Sequence, residues 1–130
     1  MIRIDIDNQI DCKFPKDLSS KIESFLDNKL SGLTKDIELS ISFLRSENIR
    51  SLNHKFRNID KPTDVLSFPI YPSIEAIKKS PAKIIELGDI VICPEISEKY
   101  IDDYHLSTGD DILTFLAIHG LNHLLGIHHK

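Results

Sequence analysis

The stretch "PKDLSSKIESFLDNKLSGLTKDIELSISF", Pro15–Phe43, changes its hydrophobic period part-way along. Leu18, Ile22, Phe25, Leu26 and Leu30 recur at helical spacing, and Gly32 is placed to stop that helix. From Asp36 the period is two, with Ile37, Leu39, Ile41 and Phe43 on one face of a strand. Toward the N-terminus, Ile2, Ile4 and Ile6 alternate with polar residues, which predicts a half-buried first strand and not a signal peptide. Toward the C-terminus, Ser46 reads as the N-cap of a short helix carrying Ile49, Leu52 and Phe56, broken by "NIDKP", Asn58–Pro62, since Pro62 cannot continue a helix. "TDVLSFPI" predicts a third strand, ended or edged by Pro69. "YPSIEAIKKSPAKII" has two prolines and weak periodicity, so most of it reads as a loop, and "ELGDIVIC" predicts a fourth strand. Pro94 suits the first turn of a helix using Ile96, Tyr100, Ile101 and Tyr104, and a last helix is expected from near Asp110. The order β-α-β-α-β-β-α-α predicts an α+β fold: one small domain over residues 1–130, a mixed four-stranded sheet packed with helices. Strand order is not legible at this level.

Composition narrows the function class. Apolar residues make up 41% and charged residues 28%, a balance usual for a globular domain, and no apolar run is long enough to span a bilayer. A cytoplasmic protein without membrane contact is therefore expected. Cys12 and Cys93 are two distant cysteines without a CxxC partner, which fits reduced, packed thiols. The net charge of −4 is not the footprint of a nucleic-acid binder. The charge is uneven, however: Arg45, Arg50, Lys55, Arg57 and Lys61 face only Glu47 and Asp60 within one segment. Such a local excess can bind phosphate, and it can equally be a solvated helix face.

The chain ends on "HGLNHLLGIHHK", His119–Lys130, which holds four of the six histidines. Ile112, Phe115, Leu116, His119 and His123 form one stripe on the last helix. Residues four apart on a helix are neighbours, so His119 and His123 face the same way and can grip one metal ion. Gly126 offers a helix end, and His129 is placed to add a third ligand from the returning segment, which leaves a fourth tetrahedral position open. The competing reading is a pair of helical histidines that only satisfy hydrogen bonds. A purification scar fits poorly, because the histidines are interleaved with core leucines. A metalloprotease needs glutamate after the first histidine, and here that residue is Gly120.

"HGLNHLLGIHH" resembles the HGxxHLxGxxH signature of the bacterial YbeY endoribonucleases, with His119, Gly120, His123, Leu124, Gly126 and His129 at its fixed positions. "LNHKFRNIDKPTDVLSFP" (Leu52–Pro69) resembles that family's LNxxYRxxDxPTDVLSFP segment, and "LGDIVIC" (Leu87–Cys93) its LGDIxI strand. The resemblance implies a metal-dependent, single-strand-specific endoribonuclease of 16S rRNA 3′-end maturation and ribosome quality control. It further implies a zinc-hydrolase-like His helix, with one Zn²⁺ or another divalent transition metal held by His119, His123 and His129. Arg57 stands in the arginine position that the family needs for activity. The partners implied are the 16S rRNA precursor and the ribosome or its small subunit, with no oligomeric state indicated. Departures are Ile127-His128-His129 in place of a GYDH-type ending, so that His128 competes with His129 as ligand, Phe56 in place of tyrosine, and Asn122 where leucine is common. The sequence stops at Lys130, where many members continue with a further helix, so the last ligand is expected to be held less firmly.

On this reading a metal on neutral imidazoles lowers the pKa of its water toward 7 and polarises a phosphoryl oxygen. Arg57 would clamp the scissile phosphate with a permanently charged fork; without the family match, a surface ion pair with Asp60 or another acid is the simpler role. Asp64 is a candidate for supporting the site and equally for capping structure. Neither a general base nor the choice between water and the 2′-hydroxyl as nucleophile follows from the sequence. The alternative from another class is a non-catalytic ribosome- or RNA-associated protein whose histidines form a structural clip, its fourth ligand drawn from His128, His105 or Cys93. A metal hydrolase of another substrate is third. His54 and His105 otherwise read as surface or packing histidines.

Overall fold

In the computed structural model, residues 1–97 and 109–127 are described. Four strands, β1 (Ile2–Asn8), β2 (Asp36–Phe43), β3 (Val65–Pro69) and β4 (Ile84–Ile92), form one sheet in the order β1-β2-β4-β3. β1, β2 and β4 run parallel, and β3 pairs antiparallel with β4. The mixed four-stranded sheet is the one the alternation implied. β1 alternates half-buried and exposed residues because it is an edge strand, whereas β4, an inner strand, is buried along most of its length and leaves Ile84, Glu86 and Asp89 exposed. Its register with β2 slips between Glu38 and Leu39, opposite Leu87 and Gly88.

The helices are α1 (Leu18–Lys29), α2 (Ser46–Arg57), α3 (Ile74–Lys79), α4 (Pro94–Ser97) and α5 (Gly109–Leu124). α1 and α5 cover one face of the sheet. Ile22 and Leu26 from α1, Ile41 and Phe43 from β2, Ile90 and Ile92 from β4, and Leu116 and Leu121 from α5 are all fully buried there. Each such side chain contributes roughly 1.5–3 kcal/mol by leaving water, so this core carries most of the stability. A smaller cluster of Leu44, Ile49, Leu66, Val91 and Cys93 forms where α2 covers the opposite face. Val91 and Ile90 belong to different clusters because successive strand residues point to opposite sides.

The structure corrects the sequence reading in two places. The expected loop after β3 contains α3. Ser73 Oγ accepts from Ala76 N at 3.1 Å to cap it, Glu75 pairs with Lys79, and Ile77 alone is buried. Six residues with a single buried side chain carry no periodic signal, which is why the loop reading failed. Ser46 is not the cap of α2. It is the first helical residue after Arg45, and its hydroxyl donates to Glu95 Oε1 at 3.0 Å. α2 ends at Arg57, directly before the expected break at "NIDKP", and the residue that turns the chain there is Asn58, left-handed at φ 57°, ahead of Pro62. Asparagine tolerates that conformation better than most residues. α4 does open on Pro94, while Tyr100, Ile101 and Tyr104 lie outside the described residues. Among the described residues no helix is long and apolar enough to cross a membrane.

α5 packs across β3 and β4 and reaches them closely. A Cβ on Gly120 would stand 2.8 Å from Ile90 Cγ2, so only a bare residue lets the helix lie at this height. Gly126, φ 76°, closes α5, with Ile127 N donating to Asn122 O at 2.8 Å and Gly126 N to His123 O at 3.0 Å. Gly120→Ala is expected to lower unfolding stability by about 1–3 kcal/mol through overpacking. Urea denaturation checks it; a midpoint equal to that of the unaltered protein would mean that α5 is free to lift from the sheet.

Candidate functional site

His119 and His123 project from one face of α5, half-buried, with ring centroids 4.7 Å apart and planes inclined at 51°. The i, i+4 spacing puts them side by side, as the sequence predicted. Phe115, one turn earlier, lies nearly parallel to the His119 ring at 6.2 Å and 15°. It restricts how that imidazole can turn.

Facing the two histidines across a cleft of about 410 Å³ are Thr63, Asp64, Val65, Leu66 and Ser67, together with Arg57. Gly120 lies on the helix side of the same cleft. β3 is the outer strand, so the cleft runs along the edge of the sheet, with α5 on one flank and the end of α2 on the other. Arg57, His119 and His123, distant in sequence, are thus brought together. His129 and His128 lie outside the described residues, as does His105. Among the described residues no three potential metal-ligating side chains converge.

The position of Arg57 has a local cause. After the left-handed Asn58 the chain doubles back along α2. There Arg50 forks onto Asp60, Nε to Oδ1 at 2.8 Å and Nη2 to Oδ2 at 3.2 Å, and the buried Asn53 donates from Nδ2 to Lys61 O at 2.8 Å. The hydrogen bonds and charge of Arg50 hold the Asp60 carboxyl below its ordinary range, and the same partner raises the Arg50 guanidinium. Asp60 is therefore Arg50's partner. Among the described residues Arg57 makes no ion pair, and it lines the cleft. Within the basic segment Arg50 is thus paired internally, while Arg45, Lys55, Arg57 and Lys61 are exposed and make no ion pair among the described residues.

Asp64 lines the cleft and is tied into the fold at the same time. Its carbonyl accepts from Cys93 N at 2.9 Å, and its carboxylate accepts from the Thr63 hydroxyl at 3.4 Å. Thr63, Ser67 and Phe115 were missed in the sequence. The signal for Ser67 was available, since strand alternation sets it on the same side of β3 as Val65. Phe115 was seen only as part of the apolar stripe. His54 is an exposed residue of α2, as expected.

Comparison with known proteins now decides the family. Residues 5–130 match the sequence profile described as Endoribonuclease YbeY. The chain belongs to the endoribonuclease YbeY family. It is 35% identical to the Endoribonuclease YbeY of Thermoanaerobacter sp. (strain X514), over 96% of this chain and 83% of that one. It is 39% identical to that of Nautilia profundicola, over 98% of this chain and 78% of that one. Among solved structures, the solution structure of TM1509 from Thermotoga maritima aligns with all of this chain and 75% of that one, with a TM-score of 0.56 and 28% identity.

Cys93 is removed from the candidate ligands. It is fully buried in the apolar cluster under α2, and burial pushes its thiol pKa up. The reactive form is the thiolate, so a thiol both hidden and raised should be inert. At pH 8 Cys93 is expected to stay unmodified by iodoacetamide in the folded protein over a period that fully labels the urea-unfolded chain. Peptide mass spectrometry reads this directly, and rapid native labelling of Cys93 would overturn the assignment.

Proposed function

We propose that this protein is a metal-dependent endoribonuclease that cuts single-stranded RNA, acting at the 3′ end of the 16S rRNA precursor and in ribosome quality control, in the cytoplasm. The observation that carries the reading is the convergence of Arg57 with the paired imidazoles of His119 and His123 on one cleft, in a chain of the YbeY family. The donor set fits a zinc-like ion: two imidazole rings side by side on one helix face, in a cleft open to substrate. His119, His123 and His129 would hold it, with His128 the substitute for the last. When bound, such an ion supplies Lewis-acid polarisation of the phosphodiester and acidifies water in the cleft.

The remaining work falls to the chain's own residues. Arg57 presents a planar fork of donors to the non-bridging phosphate oxygens and stabilises the charge that grows there during cleavage. The Arg50–Asp60 pair and the Asn53–Lys61 hydrogen bond hold the turn that aims it. Phe115 flanks the His119 ring on the same helix face. Arg45, Lys55 and Lys61 draw the flanking phosphates.

Elemental analysis of untagged protein is expected to find about one transition metal per chain, as for a single catalytic site, and the variant His123→Ala to lose it. Arg57→Ala is expected to keep the metal and to cleave unstructured RNA about 10²–10³-fold more slowly, the usual effect of losing one donor to developing charge. Loss of metal in that variant would refute the role given to Arg57. RNA binding should weaken with salt at a log–log slope of about −2 to −3, as for three or four phosphates neutralised on a single strand. A salt-independent dissociation constant would contradict the basic segment as the docking surface.

A further inference from the structure

Beside the cleft, on the face of the sheet under α2, stands an aromatic ring that the cleavage chemistry does not use. Phe56 is 57% exposed, an unusual position for a large apolar side chain. Its ring is not adrift: Phe68 of β3 meets it edge-on, centroids 5.2 Å apart and planes at 69°. Lys55 Nζ stands over a face of the ring, 5.2 Å from its centroid. Phe56 immediately precedes Arg57, and successive helix residues diverge by about 100°. One points over the outer sheet face toward Leu52, Phe68 and Val91, while the other turns into the cleft. β3 joins the two places, since Phe68 supports the ring and Ser67 lines the cleft.

We propose that Phe56 is a stacking platform for the nucleobase beside the scissile phosphodiester, which makes it a substrate-positioning and strand-selecting residue. The inference rests on the endoribonuclease reading and deepens it. A nucleobase is the occupant the surroundings favour. The ring is braced on one side by Phe68, its two chain neighbours are cations, and a base that takes the place of the Lys55 ammonium over the ring would carry its phosphates onto Lys55 and Arg57. Asp89, whose carboxylate accepts the Ser40 hydroxyl, lines the far side of the ring's hollow. Its charge turns the sugar–phosphate backbone toward the lysine and arginine side. Paired bases offer no free face to such a ring, so the platform discriminates for single strands.

The protein contains no tryptophan, so Phe56→Trp installs a lone fluorophore at the platform. Titration with a single-stranded 2′-O-methyl oligonucleotide is expected to quench it saturably, and the abasic oligonucleotide of equal charge to leave it unquenched. Phe56→Ala is expected to raise the dissociation constant and KM for RNA about 5- to 100-fold, the range for loss of one base stack, with the effect on KM exceeding that on kcat. Phe56→Tyr should restore both. Equal quenching by the abasic strand overturns stacking and leaves electrostatic contact alone. Unmoved fluorescence in a protein that still cleaves RNA overturns the platform and assigns the exposed ring to protein contact. If the unaltered protein, fully metal-loaded, neither binds nor cuts RNA, the nuclease reading itself fails.

Discussion

The approach of α5 to β4 at Gly120 sets the height of the whole site. Ile90 fills the space where a side chain would otherwise stand, so the helix lies against the central strand and not above it. Gly120 is also the residue after His119 and three before His123. The bare position that lets the helix down therefore fixes how deep both imidazoles sit in the cleft. Interiors packed to crystal density do not yield by fractions of an ångström without loss. A bulkier residue there would lift the two rings together, away from Thr63, Asp64 and Ser67 on the β3 side.

The opposite wall depends on a different kind of restraint. Arg57 is held at the cleft not by burial but by a turn, and the turn is built from polar groups: a left-handed asparagine, a forked Arg50–Asp60 pair and a buried amide on a carbonyl. The exposed pair is weak by itself, but the fork and the amide act on the same few residues. One wall is thus set by apolar packing and the other by hydrogen bonds. Substitutions in the core should move the histidines, and substitutions in the turn should move the arginine.

How far the sequence reveals this depends on which force writes each feature. Helical and two-residue periods come from burial, so β1, β2, β4, α1, α2 and α5 were legible wherever a face meets the core. α3 was not, because one buried isoleucine makes no period and its cap and ion pair are local contacts that many loops share. The stop of α2 was legible, but the residue that makes it was not. Pro62 is the louder signal, yet backbone conformation at Asn58 acts first. Strand order escaped the sequence altogether, since β4 enters between β2 and β3 and no local pattern encodes a neighbour. In the site, the His119–His123 pair was legible as helix geometry. Arg57's partner was not: Asp60 is close to both Arg50 and Arg57 in sequence, and only the reversal of the chain gives it to Arg50.

Charge distribution reconciles an acidic protein with an RNA substrate. The net charge is −4, but ions screen charges beyond roughly 8–10 Å at physiological salt, so an approaching strand responds to the local surface. Two surfaces are in competition. Asp5, Glu38, Glu86 and Asp89 line a groove on the open sheet face; Arg3 pairs with Asp5 and Glu38, and the four acids against one base leave the groove unfavourable to phosphate. Arg45, Lys55, Arg57 and Lys61 are exposed on α2 and its turn, beside β3. Asp89 belongs to both the acidic groove and the hollow beside Phe56, so the boundary between the two fields falls across the sheet face next to the cleft. The favourable path left to a polyanion follows the outer edge of β3, which is the path that passes Arg57 and the two histidines. The acids of the sheet therefore contribute to substrate placement by narrowing where the strand can lie, and the bases need not outnumber them.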